Sequence, residues 1–333
     1  MAPSATQTLL SPAELSYIHH SLSLSPPIRP DGRSPTEFRP LFAETDILPN
    51  TNGSARVCFA DGSEAIAGVK AEVERSIARP GLDISADDDG EEERHGENAW
   101  VEMSIEIPGH RDDDALPVFL AAMLTEALLA DSELKDRLWI NRRFHWKLYI
   151  DILLLSPPSS YPLPLLSLTT HLSLLSTHLP ALISDPADDP LFNDDWHSAT
   201  PLYPPSSSTP PVTLLVTTIG ETILLDPTPE ELAVADAVLA LSVAAPLPSK
   251  AKKGKGNPQA RLLAIRTLDP PSRLTPLGTT AGPTEGAPPR TGMAWAPPQG
   301  GLKRELLSRV IKAVVAPGGG AEEVLAGLAG VVA

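Results

Sequence analysis

Residues 29–74 read RPDGRSPTEFRPLFAETDILPNTNGSARVCFADGSEAIAGVKAEVE and carry the strongest structural signal in the chain. Val57 and Phe59 alternate with polar or small residues before Asp61-Gly62, and an apolar pattern resumes at Ile66. Alternation on both sides of an Asp-Gly turn is typical of a β-hairpin. The segment therefore predicts two antiparallel strands joined at Asp61-Gly62.

Three arginines stand before this hairpin: Arg29 and Arg33 flank a predicted turn at Asp31-Gly32, and Arg39 follows. A guanidinium holds carboxylates and carbonyl oxygens through a fixed fork of N–H donors. We therefore expect Arg33 and Arg39 to hold carboxylates or backbone carbonyls and to act structurally.

The composition indicates folded blocks separated by insertions. The chain has 333 residues, enough for two domains of ordinary size, and 42% of them are hydrophobic. The 37 prolines occur in clusters and so divide the chain. The net charge of −16 would repel RNA. Any RNA contact therefore needs acidic groups that lie away from it or, as the sequence favours, basic partners.

Cys58 is the only cysteine, which excludes a disulfide within the chain and a thiolate zinc site. Its position in an apolar strand predicts a small buried side chain. The chain has no apolar run of about 18 residues and no leader-like N-terminus. We therefore expect an intracellular, reducing compartment.

Helical spacing predicts helices over residues 8–25, 115–130 and 162–182. The first helix has a capping-box pattern, with Ser11 as N-cap and Glu14 three positions later.

Period-two alternation predicts a half-buried strand over residues 100–107. The nearly continuous apolar run 146–155 predicts a central strand covered on both faces. Asp151 lies within that run and is expected to be a buried hydrogen-bond acceptor.

The histidine pairs do not predict a metal site. His19 and His20 are adjacent, so a helix directs them differently. His171 and His178 are seven positions apart, two helical turns, and lack a third ligand. We expect the latter two to be surface or interface residues.

The C-terminal half predicts a hairpin over 212–225 that turns at Gly220-Glu221. Residues 228–231 (TPEE) favour a helix start, whereas 238–244 alternate as in a strand, and we side with the strand for 238–244. A strand over 261–268 and a helix over 302–315 follow, and a small tail helix ends the chain.

Four polar segments interrupt these elements, and each is expected to be a solvated insertion. The acidic run from Asp87 to Glu97, within the first of these segments, lacks the alternating ligands of a calcium loop. Lys252, Lys253 and Lys255 form a weak nuclear-import pattern. The segments are 79–98, 184–211, 245–259 and 269–300.

The motif order in residues 29–74, above all ETDILPNTNGSARV followed by GVKAEVE, resembles the RNase PH family. Its members phosphorolyse RNA or form the ring of the RNA exosome. The resemblance implies an α+β fold of two sub-domains, with ribosomal protein S5 domain 2-like β-α-β-α layers and disordered insertions. Its domains would be an N-terminal helix at 8–28, a first RNase PH domain at 29–183, a linker at 184–211, a second RNase PH domain at 212–316 and a tail helix at 317–333.

Active members of this family hold phosphate in a glycine-rich loop that contains a Thr-Arg pair. The loop follows a strand with a Trp-x-x-Tyr-x-Asp pattern, which falls here on Trp146 to Asp151. Counted from Asp151, the loop falls on residues 156–162 and the pair on Tyr161-Pro162. Proline supplies no N–H donor, whereas an oxyanion needs convergent donors and a cation.

Active members also carry two aspartates beyond the turn at Asp226. Aligned on Asp226 without a gap, these positions are Leu232 and Val238; a short gap would bring in Asp236 but would not restore both. Asp226 itself is predicted to be a turn residue or a helix cap.

The resemblance therefore implies a non-catalytic exosome ring subunit without cofactor or metal. The alternative is a phosphate-dependent 3′–5′ exoribonuclease whose site is shared with a ring neighbour. A stand-alone adaptor that uses the proline-rich insertions is a third option. Implied partners are other RNase PH-like ring subunits, including a dimer partner like the mRNA transport regulator and ribosomal RNA-processing protein 41 as neighbour, with RNA-binding cap subunits and RNA in the channel. Nucleus, nucleolus and cytoplasm are the implied locations.

A basic and aromatic cluster runs from Arg137 to Lys147, at the start of the central strand. It contains the candidate RNA-facing residues. Alternatively, the paired arginines only solvate a loop. The RNA-facing candidates are Arg142, Arg143 and Lys147. The family's structural signature falls on Arg29, Asp31, Gly32, Arg33, Arg39, Gly53, Arg56, Asp151 and Asp226.

Overall fold

Two β-sheets contact one buried helix in the computed structural model. The structure describes residues 10–76, 96–130, 132–184, 188–204, 208–245, 260–275 and 295–332. The acidic residues 79–95, the lysine-rich residues 250–256 and residues 276–294 therefore lie outside the described ranges. None of the described helices is long and apolar enough to cross a lipid bilayer.

The first sheet has five strands in the order β1-β2-β3-β5-β4. All neighbours are antiparallel except β4 and β5, which are joined by a helical crossover and run parallel. The predicted turn at Asp61-Gly62 is confirmed, because it links β2 to β3. The strands are β1 (Leu41–Thr45), β2 (Gly53–Phe59), β3 (Glu64–Arg75), β4 (Val101–Glu106) and β5 (Phe144–Ser156).

Strand β5 is covered on one face only, which corrects the expectation of a strand buried on both faces. Leu148 and Ile152 are buried, whereas Leu153 and Leu155 are 40% and 44% exposed. Asp151 is exposed on the same face and is not a buried acceptor. The helices that cover this sheet lie on its other face, where alternate side chains point.

We call the uncovered side of the first sheet the open face. Register places Phe42 beside Cys58, and Ile66 between Arg56 and Leu153, all on this side. Cys58 is consequently half-buried, not fully buried as its strand pattern predicted.

The second sheet has four antiparallel strands in the order β11-β10-β8-β9. The predicted hairpin, the strand after the TPEE segment and the strand over 261–268 are all confirmed. The strands are β8 (Val212–Ile219), β9 (Thr222–Leu225), β10 (Ala237–Ala244) and β11 (Arg261–Leu268), and a two-stranded ribbon of β6 (His178–Leu179) and β7 (Thr200–Pro201) lies between the sheets in sequence.

Helix α4 (Leu163–Leu175) contacts both sheets and is buried from Leu163 to Leu174. An all-round apolar helix is expected in such a position. The prediction of a helix to residue 182 is wrong, because the chain turns after Leu175 and forms β6. His178 lies in β6, and His171 is buried, so the two histidines do not share a helical face as expected.

The remaining helices flank the sheets. In α1, the predicted capping box is confirmed by reciprocal hydrogen bonds between Ser11 and Glu14. This helix packs with Ile219, Leu224 and Trp295 in a second, smaller apolar cluster. The helices are α1 (Pro12–Ser23), α2 (Ala115–Leu129), α3 (Ser132–Arg137), α5 (Pro229–Leu232), α6 (Arg304–Val315) and α7 (Gly320–Val332).

Candidate functional site

A cavity of about 550 Å³ lies where the loop after β5 meets β10 and β11. Tyr161 lines it from the first half of the chain, and Asp236 and Val238 line it from the second. The structure thus brings together the loop position and one of the aspartate positions, Val238, that the family resemblance assigns to catalysis. Other lining residues include Phe119, Asp269, Arg273 and Gly300.

Tyr161 supplies an uncharged group to this cavity. Burial raises the pKa of its phenol to about 12, so it is neutral at physiological pH. Pro162 is the N-cap of α4, and Pro164 is the second residue of that helix. Neither has an N–H group. The backbone beside Tyr161 is therefore poor in the donors that hold a phosphate.

The charged groups of the cavity are already engaged. An oxygen of Asp236 accepts a hydrogen bond from the Gly220 N–H at 2.6 Å. Arg273 is the only lysine or arginine among the described lining residues, and its guanidinium lies 2.7 Å from the Asp269 carboxylate. Two carboxylates and one guanidinium leave the lining acidic and poorly suited to an anionic ligand.

The two positions aligned with catalytic aspartates lie in the apolar core. Leu232 is 4% exposed and Val238 is 3% exposed. Ionised carboxylates at such positions would need compensating partners. Asp236 is the nearest replacement, and it stands at the edge of β10 with its side chain half-buried.

The signature arginines form a separate cluster that joins the N-terminal segment to the turn after β9. Arg29 donates from Nε and Nη2 to the two carboxylate oxygens of Glu231, at 2.7 and 2.9 Å. It also donates to the carbonyl oxygens of Leu225 and Asp226 at 3.2 and 3.0 Å. Both side chains of the Arg29–Glu231 pair are fully buried.

Asp226 is the acceptor for the other two arginines. Arg39 donates from Nε and Nη2 to its carboxylate at 2.9 and 2.7 Å, and Arg33 donates from Nη1 at 2.8 Å. Burial acts to raise the pKa of Asp226, but the hydrogen bonds and charge of Arg39, with the charge of Arg33, outweigh it and lower the pKa. The expectation that Arg33 and Arg39 hold carboxylates is confirmed.

Two contacts in this cluster were not predicted from the sequence. Asp226 does lie in a turn, with φ of 49°, yet it also anchors two arginines. Locally, Glu231 is a first-turn acid of α5 and completes a capping box with Thr228. Its pairing with Arg29 spans 202 positions, and no local pattern indicates such a contact.

The remaining signature residues have structural surroundings. Gly53 lies against the end of α4, where an added Cβ would stand 2.6 Å from the Cα of Thr177. Gly32 has φ of +76° in the predicted turn. Arg56 lies on the open face and pairs with Glu64 at 2.5 Å.

The basic and aromatic cluster from Arg137 to Lys147 contains both buried and exposed side chains. Trp146 is buried in the core, and Arg137 donates to Glu133, Ser208 and the Leu202 carbonyl. Arg142 and Arg143 are exposed. Lys147 is half-buried, with its amine 3.2 Å from Glu102, and Arg143 contacts Asp189 at 3.1 Å.

Comparison with known proteins identifies the family, although no family model matches. The chain is 33% identical over 239 residues to Exosome complex component RRP42 of Saccharomyces cerevisiae, covering 70% of this chain and 81% of the relative. The Exosome complex component rrp42 of Schizosaccharomyces pombe is also 33% identical, over 252 residues, covering 71% and 79%. The chain belongs to the RRP42 family of exosome complex components. The resemblance that the stretch ETDILPNTNGSARV carries, to RNase PH-like exosome subunits, is thereby confirmed.

Solved structures agree on the fold of this RRP42-family chain. An archaeal exosome core aligns with a TM-score of 0.52 at 16% identity, covering 90% of each chain. An Archaeoglobus fulgidus exosome with RNA bound to the active site aligns with a TM-score of 0.51 at 17% identity, covering 90% of this chain and 92% of the other. The predicted α+β RNase PH fold is confirmed.

Proposed function

We propose that this chain is a non-catalytic structural subunit of the exosome core ring. In this role it supports 3′–5′ RNA processing and degradation, including ribosomal RNA maturation and mRNA turnover. It does so by forming part of the RNA channel and by docking partner subunits. Its family membership supports a place in the exosome.

The observation that carries the non-catalytic assignment is the cavity at Tyr161. A phosphate site needs convergent N–H donors and a cation, and this cavity offers prolines and an arginine already paired with Asp269. Loss of one oxyanion donor typically costs about 10²–10³ in rate. Loss of the loop donors together with both aspartate positions removes far more.

The arginine cluster argues against a catalytic site shared with a neighbour. Such a site would need guanidinium groups of this chain beside the neighbour's aspartates. Arg29, Arg33 and Arg39 instead bind carboxylates of this same chain. Moving any of these arginines to a neighbour's site would leave a buried or half-buried carboxylate of this chain without its partner.

The open face is the surface that best suits ring assembly. Phe42, Leu153 and Leu155 are 59%, 40% and 44% exposed there. Uncovered apolar side chains on an ordered sheet mark contact surfaces. We propose that an RNase PH-like ring subunit covers it. The ring partners are a dimer partner like the mRNA transport regulator and, as neighbour, ribosomal RNA-processing protein 41, with RNA-binding cap subunits attached elsewhere.

RNA would pass near the exposed guanidinium groups of Arg142 and Arg143 and near Lys147. These groups supply phosphate contact without base recognition. Because the chain carries a net charge of −16, basic partners would supply most of the RNA affinity. We propose that the complex acts in the nucleus, nucleolus and cytoplasm.

The deciding experiment uses the assembled complex, purified without hydrolytic subunits and given RNA and phosphate. The expected result is no release of nucleoside diphosphates above a no-enzyme control. Release that disappears with Asp236→Asn, in a ring of unchanged mass, would establish the shared-site exoribonuclease instead. Failure of the chain to enter any ring-sized complex would contradict the scaffold role.

A further inference from the structure

The chain segment after β6 forms paired antiparallel strands, which we call the 181–197 hairpin and describe over residues 181–184 and 188–197. Ile183 donates its N–H to the Leu191 carbonyl at 2.8 Å, and Asn193 donates to the Ala181 carbonyl at 2.9 Å. Leu182 and Phe192 form an antiparallel bridge between these bonds. The backbone is therefore ordered although it belongs to a long connection.

The two faces of this hairpin differ sharply. Phe192 points inward, and its ring lies 4.8 Å from that of Trp146. Since side chains alternate along a strand, the neighbours Leu191 and Ile183 point outward, side by side. Each of these two is 66% exposed.

A third large apolar side chain, Trp196, follows five positions after Leu191 and is 53% exposed. Leu182 is 43% exposed but is paired with Phe192, so it lies on the inward face. Ile183, Leu191 and Trp196 thus stand uncovered within a short segment. A clustered arrangement of this kind marks an interaction site, whereas isolated exposed apolar residues are normal.

The hairpin is also held in one position relative to the first sheet. The Asn141 side-chain amide donates to the Asp188 carbonyl at 3.2 Å, and Arg143 pairs with Asp189 at 3.1 Å. Ser184 accepts a hydrogen bond from the Leu191 N–H at 3.1 Å. A surface fixed in this way loses little conformational entropy on binding.

The carboxylate side chains of the described hairpin residues lie in solvent, and the hairpin itself contributes no lysine or arginine. Asp188, Asp189, Asp194 and Asp195 are all exposed. The sequence contains no lysine or arginine between Lys147 and Lys250. Arg143, from the loop before β5, contacts Asp189 at 3.1 Å.

We propose that the 181–197 hairpin is a docking surface for a partner protein whose contact face is apolar and rimmed by lysine or arginine. Ile183, Leu191 and Trp196 supply the buried centre of this contact, and the aspartates pair with the basic rim. The proposal rests on the proposed scaffold function and extends it, because it gives one docking surface and the chemistry of its partner.

Other occupants fit this surface less well. RNA is a polyanion, and four exposed carboxylates would repel it. A second copy of the chain would bring the same acidic rim against itself, and like charges in contact cost free energy.

The test places a photo-crosslinking amino acid at Leu191 of the full chain in the purified, assembled complex. A matched probe stands at Leu274, which is 79% exposed and outside the hairpin. We expect the Leu191 probe alone to crosslink a partner peptide that contains apolar residues and lysine or arginine. Crosslinks to RNA, to another copy of this chain, to an acidic peptide, or to nothing would overturn the proposal.

A binding measurement with that purified partner completes the test. Leu191→Ser should weaken its binding about 10-fold, as for a residue at the centre of an interface, and Leu274→Ser should leave it unchanged. Added salt should weaken binding further. Equal affinity for both variants would refute the hairpin assignment. Loss of the chain from the ring altogether would instead count against the scaffold function, which native mass measurement distinguishes.

Discussion

Removing the charge of Glu231 should destabilise the chain severely, because it leaves Arg29 charged and buried. Both side chains are fully buried and joined by two hydrogen bonds. Breaking one partner of a buried ion pair costs about 3–5 kcal/mol, since the remaining charge has lost its compensation. Glu231→Gln is the suitable change, because an amide oxygen can still accept from the Thr228 N–H that Glu231 holds at 2.9 Å.

The measurement is urea unfolding followed by tryptophan fluorescence, with the midpoint and slope compared between variants. Arg29→Met should also destabilise the chain, and the double variant should cost less than the sum of the two single changes. Arg56→Met is the matched control, because Arg56 pairs with Glu64 on the exposed sheet face, and its loss should have little effect. A Glu231→Gln cost no larger than that of Arg56→Met, or strict additivity in the double variant, would refute the argument.

Two further predictions concern residues buried around α4. Burial lowers the pKa of His171 to about 4, against hydrogen bonding to the Pro210 carbonyl, whereas an unfolded histidine titrates near about 6.5. The unfolded chain therefore binds the extra proton, and about 3 kcal/mol of stability present above about pH 6.5 should be lost as pH falls toward 4. Urea midpoints across this range should fall less in His171→Gln, and an equal fall would contradict the assignment. Gly53→Ala should cost about 1–3 kcal/mol, because the new methyl group meets the backbone of Thr177. Gly327→Ala, where nothing lies within 4 Å, should be neutral or stabilising in the same thermal melt.

The charged groups around the Tyr161 cavity bear on the proposed non-catalytic role. The cavity keeps its place between the two halves, yet its polar groups are paired with one another or with backbone. Asp269 binds Arg273, and Asp236 binds the Gly220 N–H. The charged side chains of the cavity are therefore already engaged, which is consistent with the proposed scaffold role.

The acidic balance of the chain has a related consequence. The stretch between Lys147 and Lys250 carries aspartates and glutamates but no lysine or arginine. Any lysine or arginine contact with RNA in the proposed channel would therefore come from outside that stretch. The same stretch contains the 181–197 hairpin, where acidic charge favours a basic protein partner.

Local sequence patterns determined most of the elements. Alternation around Asp61-Gly62 predicted β2 and β3, and Ser11 with Glu14 predicted the start of α1. These inferences succeed because caps, turns and periodicity depend on residues only a few positions apart.

Tertiary structure alone decided which faces and charges are covered. The apolar run of β5 suggests burial on both sides, but the covering helices lie on one face, which leaves Leu153 and Asp151 exposed. His171 is buried because α4 contacts both sheets. Arg29 meets Glu231 across 202 positions. Such contacts depend on how elements distant in sequence pack together, and local periodicity does not predict that packing.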